Sequence, residues 1–263
     1  MSDAHVSSLA SDDGIDAAAR LEFEERYGTP AFGPVCIVIA AYREAGSIGA
    51  VLDELPREVD GLAVSTLIID DGSDDGTADI ARAHGAFVLA PAHRGQGAAL
   101  RLGYRVAQER GARYLVTSDA DGQYDPAEIP ALLEPVISGR ADFVSGSRRL
   151  GGTYGGDWYR RTGVVFYAWV LRRLTGKSIT DPSYGLRAMR VEVPAGVELR
   201  QPQYQTAELL ISAAKRGFRM TEVPSVMQVR TAGASRKGSE LLYGARFGRT
   251  VTLTWWRERR RDG

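Results

Sequence analysis

The chain has 263 residues, which is enough for one large α/β domain with short additions. Lys and Arg together number 33, and so do Asp and Glu, so no excess of positive charge points to a nucleic-acid partner. No apolar run approaches the roughly 20 residues that span a bilayer, and the first residues lack the pattern of a signal peptide. We therefore expect a protein that is soluble or, at most, attached to the surface of a membrane.

Cysteine and histidine give little sign of chemistry in this chain. The single cysteine, Cys36, excludes a disulfide within the chain, which suits a reducing cytoplasm. Its apolar neighbours predict a buried structural thiol. The three histidines (His5, His84 and His93) have no metal-ligand or nucleophile spacing, so we interpret them as structural or exposed residues.

Residues 1–33 form an N-terminal extension before the first strand. Residues 1–14 contain few large apolar side chains, so we expect this part to be disordered. Residues 15–27 predict a short helix that ends before the helix-breaking residues Gly28 and Pro30. The pattern assigns no function to this extension.

Short apolar runs alternate with helical segments from residue 35 onward. The runs 35–40, 65–69, 87–89 and 114–118 have the β-branched, uninterrupted character of buried strands. Strands and helices in this alternation predict a parallel sheet with right-handed crossovers. Ligands bind such sheets at the carboxyl ends of the strands. Three polar loops begin at these ends, and they start at Tyr42, Asp71 and Asp119.

The fourth of these strands delivers two aspartates to its carboxyl end. On an extended backbone, residues i and i+2 point to the same side, so Asp119 and Asp121 can face one point, with Gln123 next in the series. Neighbouring carboxylates repel unless a proton or cation lies between them, and hard oxygen ligands favour Mg²⁺ or Mn²⁺. This pattern predicts a metal and diphosphate site. The alternative is a polar turn in which Pro126 opens the next helix.

Two other motifs are incomplete. The loop that begins at Asp71 opens like an EF-hand, but its twelfth position is Arg82 where a bidentate Glu is needed. The glycines of Gly95–Gly97 begin a dinucleotide fingerprint, but Leu100 replaces the third glycine and the loop does not follow the first strand. A calcium-loop protein and a Rossmann dehydrogenase are therefore weakly supported.

The second half of the chain predicts further strands and helices. A glycine-rich loop at 151–156 has the composition of a flexible lid. The remaining elements are a helix over 126–138, a strand over 142–145, a helix that contains residues 166–174, a helix over 204–216 and two strands broken at Pro224.

Five motifs occur in one order along residues 35–240, and together they resemble the inverting glycosyltransferases of family 2. The resemblance is greatest to the branch of dolichol- or polyprenyl-phosphate mannose and glucose synthases. It implies a GT-A fold over 34–238, a nucleotide-sugar donor and a divalent metal. The motifs are Asp70-Asp71-Gly72-Ser73-Asp74-Asp75-Gly76-Thr77, Asp119-Ala120-Asp121-Gly122-Gln123, Gly146-Ser147-Arg148, Asp181-Pro182-Ser183-Tyr184-Gly185-Leu186-Arg187 and Glu222-Val223-Pro224.

The resemblance assigns roles residue by residue. Tyr42 and Glu44 match nucleoside contacts in a loop that usually reads Pro-Ala-Tyr-Asn-Glu, although Arg43 here replaces the asparagine and leaves guanine or uracil open. Asp71 matches an aspartate that binds the base or ribose, and Arg148 matches an arginine that binds phosphate or acceptor. The full donor set comprises Ala41, Tyr42, Glu44, Asp71, Gly95, Asp119, Ala120, Arg230 and Lys237, and the metal set comprises Asp119, Asp121 and Gln123.

The expected chemistry is the displacement of a GDP or UDP group from a hexose, with Asp121, Arg148 and Glu208 as catalytic candidates. A lipid phosphate acceptor is ionised near neutral pH and needs cations to position it, for which Arg148, Arg230 and Lys237 are candidates. A hydroxyl acceptor would need a base, and Glu208 or Asp181 could supply it. We favour the polyprenyl phosphate. The alternatives are a soluble hydroxyl acceptor and a non-enzymatic nucleotide-sugar-binding protein.

Residues 239–263 predict a C-terminal helix with a basic tail. Its aromatic residues stand beside a cluster of arginines, which suits the headgroup region of an anionic membrane, so the protein could be peripheral on the inner face of the plasma membrane. The alternative is a helix that packs on the domain and ends in a solvated tail. The residues concerned are Leu241, Leu242, Tyr243, Phe247, Val251, Leu253, Trp255 and Trp256, followed by Arg257, Arg259, Arg260 and Arg261.

Overall fold

An eight-stranded sheet is the central feature of the computed structural model, which describes residues 3–152, 158–203, 205–228 and 240–261. The strands are β1 (Val35–Ala41), β2 (Glu58–Val59), β3 (Leu62–Asp70), β4 (Phe87–Leu89), β5 (Tyr114–Asp119), β6 (Phe143–Ser147), β7 (Arg187–Arg190) and β8 (Met220–Pro224).

Helices precede, connect and follow the strands. They are α1 (Asp3–Tyr27), α2 (Ile48–Glu54), α3 (Thr77–Ala83), α4 (Gln96–Glu109), α5 (Ile129–Ile137), α6 (Trp158–Thr175), α7 (Glu192–Ala195), α8 (Gln205–Lys215) and α9 (Glu240–Arg261), with a 3₁₀ turn at Pro126–Glu128 before α5. Within the described residues, no helix has the combination of length and hydropathy that crossing a bilayer would need.

The main sheet has the order β4-β3-β1-β5-β7-β6-β8, and β2 is a short antiparallel addition to β3. β4, β3, β1 and β5 run parallel, β6 and β8 run parallel to each other, and β7 is antiparallel to both of its neighbours. β6 therefore runs in the same direction as β5. As a result, the carboxyl ends of β1, β3, β5, β6 and β8 lie along one edge of the sheet.

Alternate residues of β1 pack into two separate cores. Ile37 and Ile39 join helices α2 and α5 on one face, whereas Cys36 and Val38 join α1 and α4 on the other. All four side chains are fully buried. A strand that is covered on both faces has no solvent-facing position, which explains its unbroken apolar sequence. Burial also raises the pKa of the Cys36 thiol, consistent with the predicted structural role.

The mostly parallel α/β architecture predicted from the alternation of elements is confirmed, and three details differ. The N-terminal helix is one long element, Asp3–Tyr27, rather than a short helix after a disordered start. The two strands predicted around Pro224 are one strand, Met220–Pro224, followed by an isolated bridge between Met227 and Tyr124. The segment after Gly185 forms the antiparallel strand β7, which the sequence did not reveal.

We expect Gly103→Ala to destabilise the protein. A Cβ atom at Gly103 of α4 would lie 2.5 Å from Cγ1 of Val38 and 3.1 Å from Cγ1 of Ile69, so α4 would have to move away from the sheet. Overpacking costs about 1–3 kcal/mol, which should exceed the gain of up to about 1 kcal/mol from helix propensity. Denaturant unfolding measures the difference.

Gly163→Ala in α6 is the matched control for this substitution. No atom lies within 4 Å of a Cβ at Gly163, so the same change should raise the free energy of unfolding by up to about 1 kcal/mol. If both variants shifted stability in the same direction, close packing of α4 on β1 would not be the reason for the glycine.

Candidate active site

Three acidic loops meet at one edge because their strands end in register. Ala41 at the end of β1 pairs with Asp70 of β3, and Ala40 pairs with Asp119 of β5. The backbone N–H of Asp71 donates to the carbonyl of Ala41 at 2.8 Å, which continues the alignment past the strands. The convergence predicted from the sequence therefore follows directly from parallel pairing.

Hydrogen bonds join the loop after β1 to the loop after β3. The Arg43 N–H donates to Oγ of Ser73 at 2.8 Å, and the Glu44 N–H donates to Oγ1 of Thr77 at 2.9 Å. Arg43 has a φ of +56°, a left-handed conformation that asparagine adopts more readily than arginine. Its side chain forms an ion pair with Asp74 at 2.5 Å, which helps to hold the residue there.

Two carboxylates of the loop after β3 have structural partners. Asp75 Oδ1 accepts hydrogen bonds from the backbone and hydroxyl of Thr77, and Oδ2 accepts from the Ala45 N–H at 3.2 Å. These bonds lower the pKa of Asp75 against the opposing effect of burial. Asp70 bonds to Ser73, yet burial raises its pKa. Both residues therefore shape the loop.

Asp71 holds a third loop, residues 93–95, against the sheet edge. Its carboxylate is 2% exposed, with Oδ1 accepting from the Arg94 N–H at 2.8 Å and Oδ2 accepting from the Gly95 N–H at 2.7 Å. Oδ2 also lies 2.9 Å from Nδ1 of His93. In this structure Asp71 thus organises the loop that lines the predicted nucleoside site.

Tyr42 and His93 form a small aromatic surface at this edge. Their rings stack with centroids 4.3 Å apart and an interplanar angle of 29°. Half of the His93 side chain is exposed. The stacked pair presents a π-surface beside Asp71, which is the kind of surface on which a nucleobase stacks.

Asp119 and Asp121 lie at the end of β5 as predicted. Asp119 Oδ1 accepts from Nε2 of Gln96, the first residue of α4, at 3.2 Å. Asp121 is 6% exposed, and its Oδ1 accepts from the Gln123 N–H at 3.1 Å. The Gln123 amide nitrogen donates to the carbonyl of Gln228 at 3.4 Å, which orients this side chain.

The donor set at this edge fits a partly hydrated divalent cation. Within the described ranges no group of three or more His, Cys, Asp and Glu side chains could enclose a metal. Two carboxylates with a neighbouring amide oxygen suit Mg²⁺ or Mn²⁺, because these hard ions bind few protein ligands and complete their shell with water and substrate phosphates. Asp119, Asp121 and Gln123 are therefore the residues that would hold such an ion.

Tyr124 and Arg187 are buried side chains whose pKa values are influenced by the charge of Asp119. The Tyr124 hydroxyl accepts the Gly185 N–H at 2.9 Å, and burial, followed by the charge of Asp119, raises the pKa of Tyr124 far above its usual range. Arg187 is 2% exposed, and burial lowers the pKa of its guanidinium while Asp119 and Asp181 favour its charged form. A Cβ at Gly185 would lie 2.7 Å from the Tyr124 oxygen, so this position needs glycine.

Arg148 forms a buried bidentate ion pair with Asp181. Its Nε lies 2.7 Å from Oδ2 and its Nη2 lies 2.8 Å from Oδ1 of a carboxylate that is fully buried. Nη1 donates to the sulfur of Met227 at 3.5 Å. The Glu222 carboxylate accepts the Asp181 N–H at 2.9 Å, and burial raises the pKa of Glu222. Asp181 is thus fixed by its partners.

Glu208 does not lie open to a substrate as a catalytic base would need. It is fully buried on α8, where Oε1 lies 2.8 Å from Nη1 of Arg257 and Oε2 accepts the N–H groups of Arg200 and Gln201, both at 2.9 Å. Proton transfer requires a group within hydrogen-bond reach of the substrate. These contacts give Glu208 a structural position between α9 and the segment before α8.

That segment contacts the glycines at the start of α4. The Gly97 N–H donates to the carbonyl of Pro202 at 2.8 Å, and a Cβ at Gly95 would lie 2.8 Å from the same oxygen. Gly95 also has a φ of +97°. The close approach of Pro202 and the left-handed conformation explain why position 95 needs glycine. Its place in the donor site stays a prediction.

The C-terminal helix packs on the domain along much of its length. Phe247 and Val251 are buried against α6 and α8, and Glu258 is 1% exposed and bonded to Ser212. Leu253 and Trp256 are exposed. This packing agrees with the alternative predicted for the segment, a helix that packs on the domain, and attachment of the segment to a membrane stays a prediction.

Some predicted residues cannot be placed. Arg230, Lys237 and part of the predicted glycine-rich lid lie outside the described residues, as do the side chains of Leu241, Leu242, Tyr243 and Arg261. The structure adds three site residues that sequence reasoning did not assign, namely His93, Gln96 and Arg187. His93 lies two residues before the Gly95–Gly97 loop and Gln96 lies within it, and these positions were the only signal in the sequence. Nothing in the spacing marked Arg187 as buried beneath the aspartates.

The sequence of this chain is similar to those of several known proteins. Residues 36–194 match the model for glycosyl transferase family 2. The chain is 32% identical over 230 residues to a dolichyl-phosphate hexose transferase of Haloferax volcanii, covering 88% of this chain and 97% of that protein. It is also 32% identical over 237 residues to an undecaprenyl-phosphate mannosyltransferase of Micrococcus luteus, covering 84% and 93%.

A solved structure resembles the fold at lower identity. Glucosyl-3-phosphoglycerate synthase of Mycobacterium tuberculosis, in complex with Mn²⁺, UDP and glucosyl-3-phosphoglycerate, gives a TM-score of 0.68 at 24% identity. The match covers 89% of this chain and 82% of that one. The sheet order and this likeness define the fold as the GT-A fold of nucleotide-sugar-dependent glycosyltransferases. The chain belongs to glycosyl transferase family 2.

We expect Asp71→Asn to release the 93–95 loop. An amide has one acceptor oxygen in place of two, so one of the Arg94 and Gly95 N–H groups would lose its partner and face an N–H₂ group. Leaving a buried donor unsatisfied costs about 1–3 kcal/mol. Hydrogen exchange at these two amides should accelerate, and denaturant unfolding should show the loss of stability.

Asp74→Asn serves as the control on the same loop. Asp74 is exposed and pairs with Arg43 at the surface, where such pairs contribute about 0–1 kcal/mol. Exchange at Arg94 and Gly95 should be unchanged in this variant. Equal acceleration of amide exchange in both variants would show that the Asp71 carboxylate does not specifically order residues 93–95.

Proposed function

We propose that this protein is an inverting, metal-dependent hexosyltransferase that uses a GDP- or UDP-linked hexose and a polyprenyl phosphate acceptor. Family membership supports glycosyl transfer. Relatives that align over most of their own length bear the names of dolichyl-phosphate and undecaprenyl-phosphate transferases, which supports the lipid phosphate. A polyprenol monophosphomannose synthase of Mycolicibacterium smegmatis, 31% identical over 226 residues, adds to this support.

The burial of the two candidate bases, Asp181 and Glu208, supports a phosphate acceptor over a hydroxyl acceptor. Asp181 is bound by Arg148, and Glu208 is bound by Arg257 and two backbone N–H groups. Both carboxylates are fully buried and hold other groups in place. A hydroxyl nucleophile needs a base to remove its proton, and neither of these two candidates is open to supply one. A phosphate monoester, whose second pKa is about 6, is already an anion near neutral pH and needs no base.

The donor would lie across the three loops at the sheet edge. The Tyr42 ring, stacked on His93, offers a surface for the nucleobase, with Glu44 beside it in the same loop. Asp119, Asp121 and Gln123 would hold the cation, which when bound stabilises negative charge on the departing diphosphate as a Lewis acid. We also assign Gly95 and Ala120 to the donor site, as the family resemblance implies.

The reaction exchanges one C–O bond for another at the anomeric carbon. The bond to the nucleoside diphosphate breaks, and its electron pair leaves with the diphosphate oxygen. An oxygen of the acceptor phosphate forms the new bond from the opposite face, which inverts the configuration. Arg148 would position this phosphate, because a guanidinium binds phosphate oxygens through charge-assisted hydrogen bonds and Asp181 holds this one at the end of β6. Arg230 and Lys237 would supply further positive charge.

We expect the purified protein, given Mn²⁺ or Mg²⁺ and a GDP- or UDP-hexose, to form a lipid-linked sugar with a short polyprenyl phosphate. Mass spectrometry of the organic phase detects the product, and parallel reactions with 3-phosphoglycerate test a soluble acceptor. Turnover of the soluble acceptor without lipid product would overturn the proposed acceptor. Absence of turnover with every donor and acceptor would contradict the assignment as a transferase.

The same assay tests the metal site by Asp121→Asn. Loss of a carboxylate ligand should lower kcat by roughly 100-fold or more. Asp125→Asn is the control, because Asp125 caps the turn before α5 and asparagine caps almost equally well. If Asp121→Asn kept most of its activity while chelation also had no effect, the cation would have no role at this edge.

We propose that α6 attaches the protein to anionic lipid. Phe166 and Trp169 are 57% and 59% exposed, and with Val165 and Thr162 they line a surface depression of about 430 Å³. The exposed Arg172 and Arg173 lie three and four residues after Trp169, about one helical turn further along this stripe. Residues 158–180 contain five Arg and Lys residues and no Asp or Glu. Exposed aromatics beside arginines suit the headgroup region that carries a polyprenyl phosphate.

We expect Phe166→Ser/Trp169→Ser to weaken binding to phosphatidylglycerol vesicles by about tenfold or more, because burying each ring contributes about 1.5–3 kcal/mol. Co-flotation measures the bound fraction, with phosphatidylcholine vesicles as the neutral comparison. Membrane binding by the C-terminal segment is not tested by removing residues 255–263, because Arg257 and Glu258 hold α9 to the domain and their loss would disturb its packing.

Leu21→Ser is the matched control for this surface. Leu21 is 63% exposed on α1, away from the aromatic stripe, so its replacement should leave co-flotation unchanged. Wild-type protein that remains with the soluble fraction at every vesicle composition would exclude a membrane-binding role for α6.

A further inference from the structure

The N-terminal helix α1 packs against the catalytic domain although it precedes the family match, which begins at residue 36. Its Phe23 is 2% exposed and lies with its ring centroid 6.1 Å from that of Phe87 in β4. Tyr27 lies 5.3 Å from the same ring. Ion pairs of Arg20 with Glu109 add contacts to α4. These contacts make α1 an integral part of this face of the domain.

Asp16 connects α1 to the 93–95 loop through an ion pair with Arg94. Its carboxylate is almost completely buried, with 5% of the residue exposed. One carboxylate oxygen binds the guanidinium of Arg94, and the other binds that of Arg105 on α4. The Arg94 side chain is 11% exposed, so its charge is also largely withdrawn from water.

Arg94 is the central residue of the loop that Asp71 holds. Its backbone N–H donates to Asp71, and the preceding residue, His93, stacks on Tyr42. The loop is therefore held from two sides, by Asp71 through its backbone and by Asp16 through the Arg94 side chain. Separating a buried ion pair is costly, so neutralising Asp16 would weaken the side-chain hold on Arg94 and with it one of the two contacts that order the loop.

We infer that Asp16 is a positioning residue for donor-nucleotide binding, through which α1 orders the loop that carries His93. The inference rests on the proposed function, because it requires the Tyr42 and His93 surface to accept the nucleoside. Asp16 acts through Arg94 and touches no reacting atom. Its effect should therefore fall on donor affinity and leave the chemical step largely unchanged.

The test compares full-length wild-type protein with Asp16→Asn. Calorimetric titration with UDP and with GDP, each with Mn²⁺, gives the Kd, and donor turnover gives KM and kcat. We expect Kd and KM to rise about tenfold with kcat within about twofold, because a misplaced loop weakens binding of the nucleoside. Hydrogen exchange at Arg94 and Gly95 should accelerate in the absence of nucleotide.

Further variants separate positioning from general stability. Arg20→Gln removes another α1 ion pair, with Glu109, and should lower Tm without changing Kd. Asp16→Glu keeps the charge and should recover part of the affinity. Asp16→Asn/Arg94→Gln removes both members of the pair and should raise Kd no further than Arg94→Gln alone, because Asp16 acts through the Arg94 side chain.

The outcomes distinguish this inference from the function on which it rests. Wild-type protein that binds neither nucleotide would overturn the proposed function. Wild-type binding with unchanged Kd and unchanged amide exchange in Asp16→Asn would overturn the role of Asp16 alone. An equal rise of Kd in Arg20→Gln and Asp16→Asn would assign the effect to α1 docking in general and would also exclude a specific role for Asp16.

Discussion

Parallel pairing of β1, β3 and β5 in register is the constraint on which the candidate site depends. It brings Ala41 beside Asp70 and Ala40 beside Asp119, so loops from distant parts of the sequence start at neighbouring points. No side chain has to reach far, because the strand ends supply the geometry. The two cores on the faces of the sheet fix these strands, and the chemistry of the edge is therefore set by packing far from any substrate.

The buried parallel strands and the acidic edge could be predicted because each depends on a local sequence pattern. Buried parallel strands have continuous apolar sequences, and the polar residues that follow them mark the edge. The partners of Glu208 could not be predicted, because Arg257 lies on a helix at the far end of the chain. The antiparallel β7 was missed for a similar reason, since Arg187–Arg190 is short and owes its strand conformation to its neighbours on both sides.

The sheet edge around β6 differs in kind from the edge around β1, β3 and β5. Around β1, β3 and β5 the carboxylates accept mainly backbone N–H groups, which shape loops. Around β6 the carboxylate of Asp181 accepts a guanidinium, which places a cation at the edge. One fold can accordingly serve different acceptors, as the names of glucosyl-3-phosphoglycerate synthase and of the dolichyl-phosphate hexose transferase illustrate.

Three buried carboxylates each bind an arginine from another element: Asp16 with Arg94, Asp181 with Arg148, and Glu208 with Arg257. Buried ion pairs add little net stability compared with apolar packing, but separating one is costly, about 3–5 kcal/mol, so they restrict the chain to one arrangement. Here each pair fixes a loop or segment at the sheet edge before any ligand arrives. In the proposed function, ordering these loops in advance would lower the entropic cost of binding a nucleotide. The terminal helices α1 and α9 supply two of the partners, which ties both ends of the chain to the same edge.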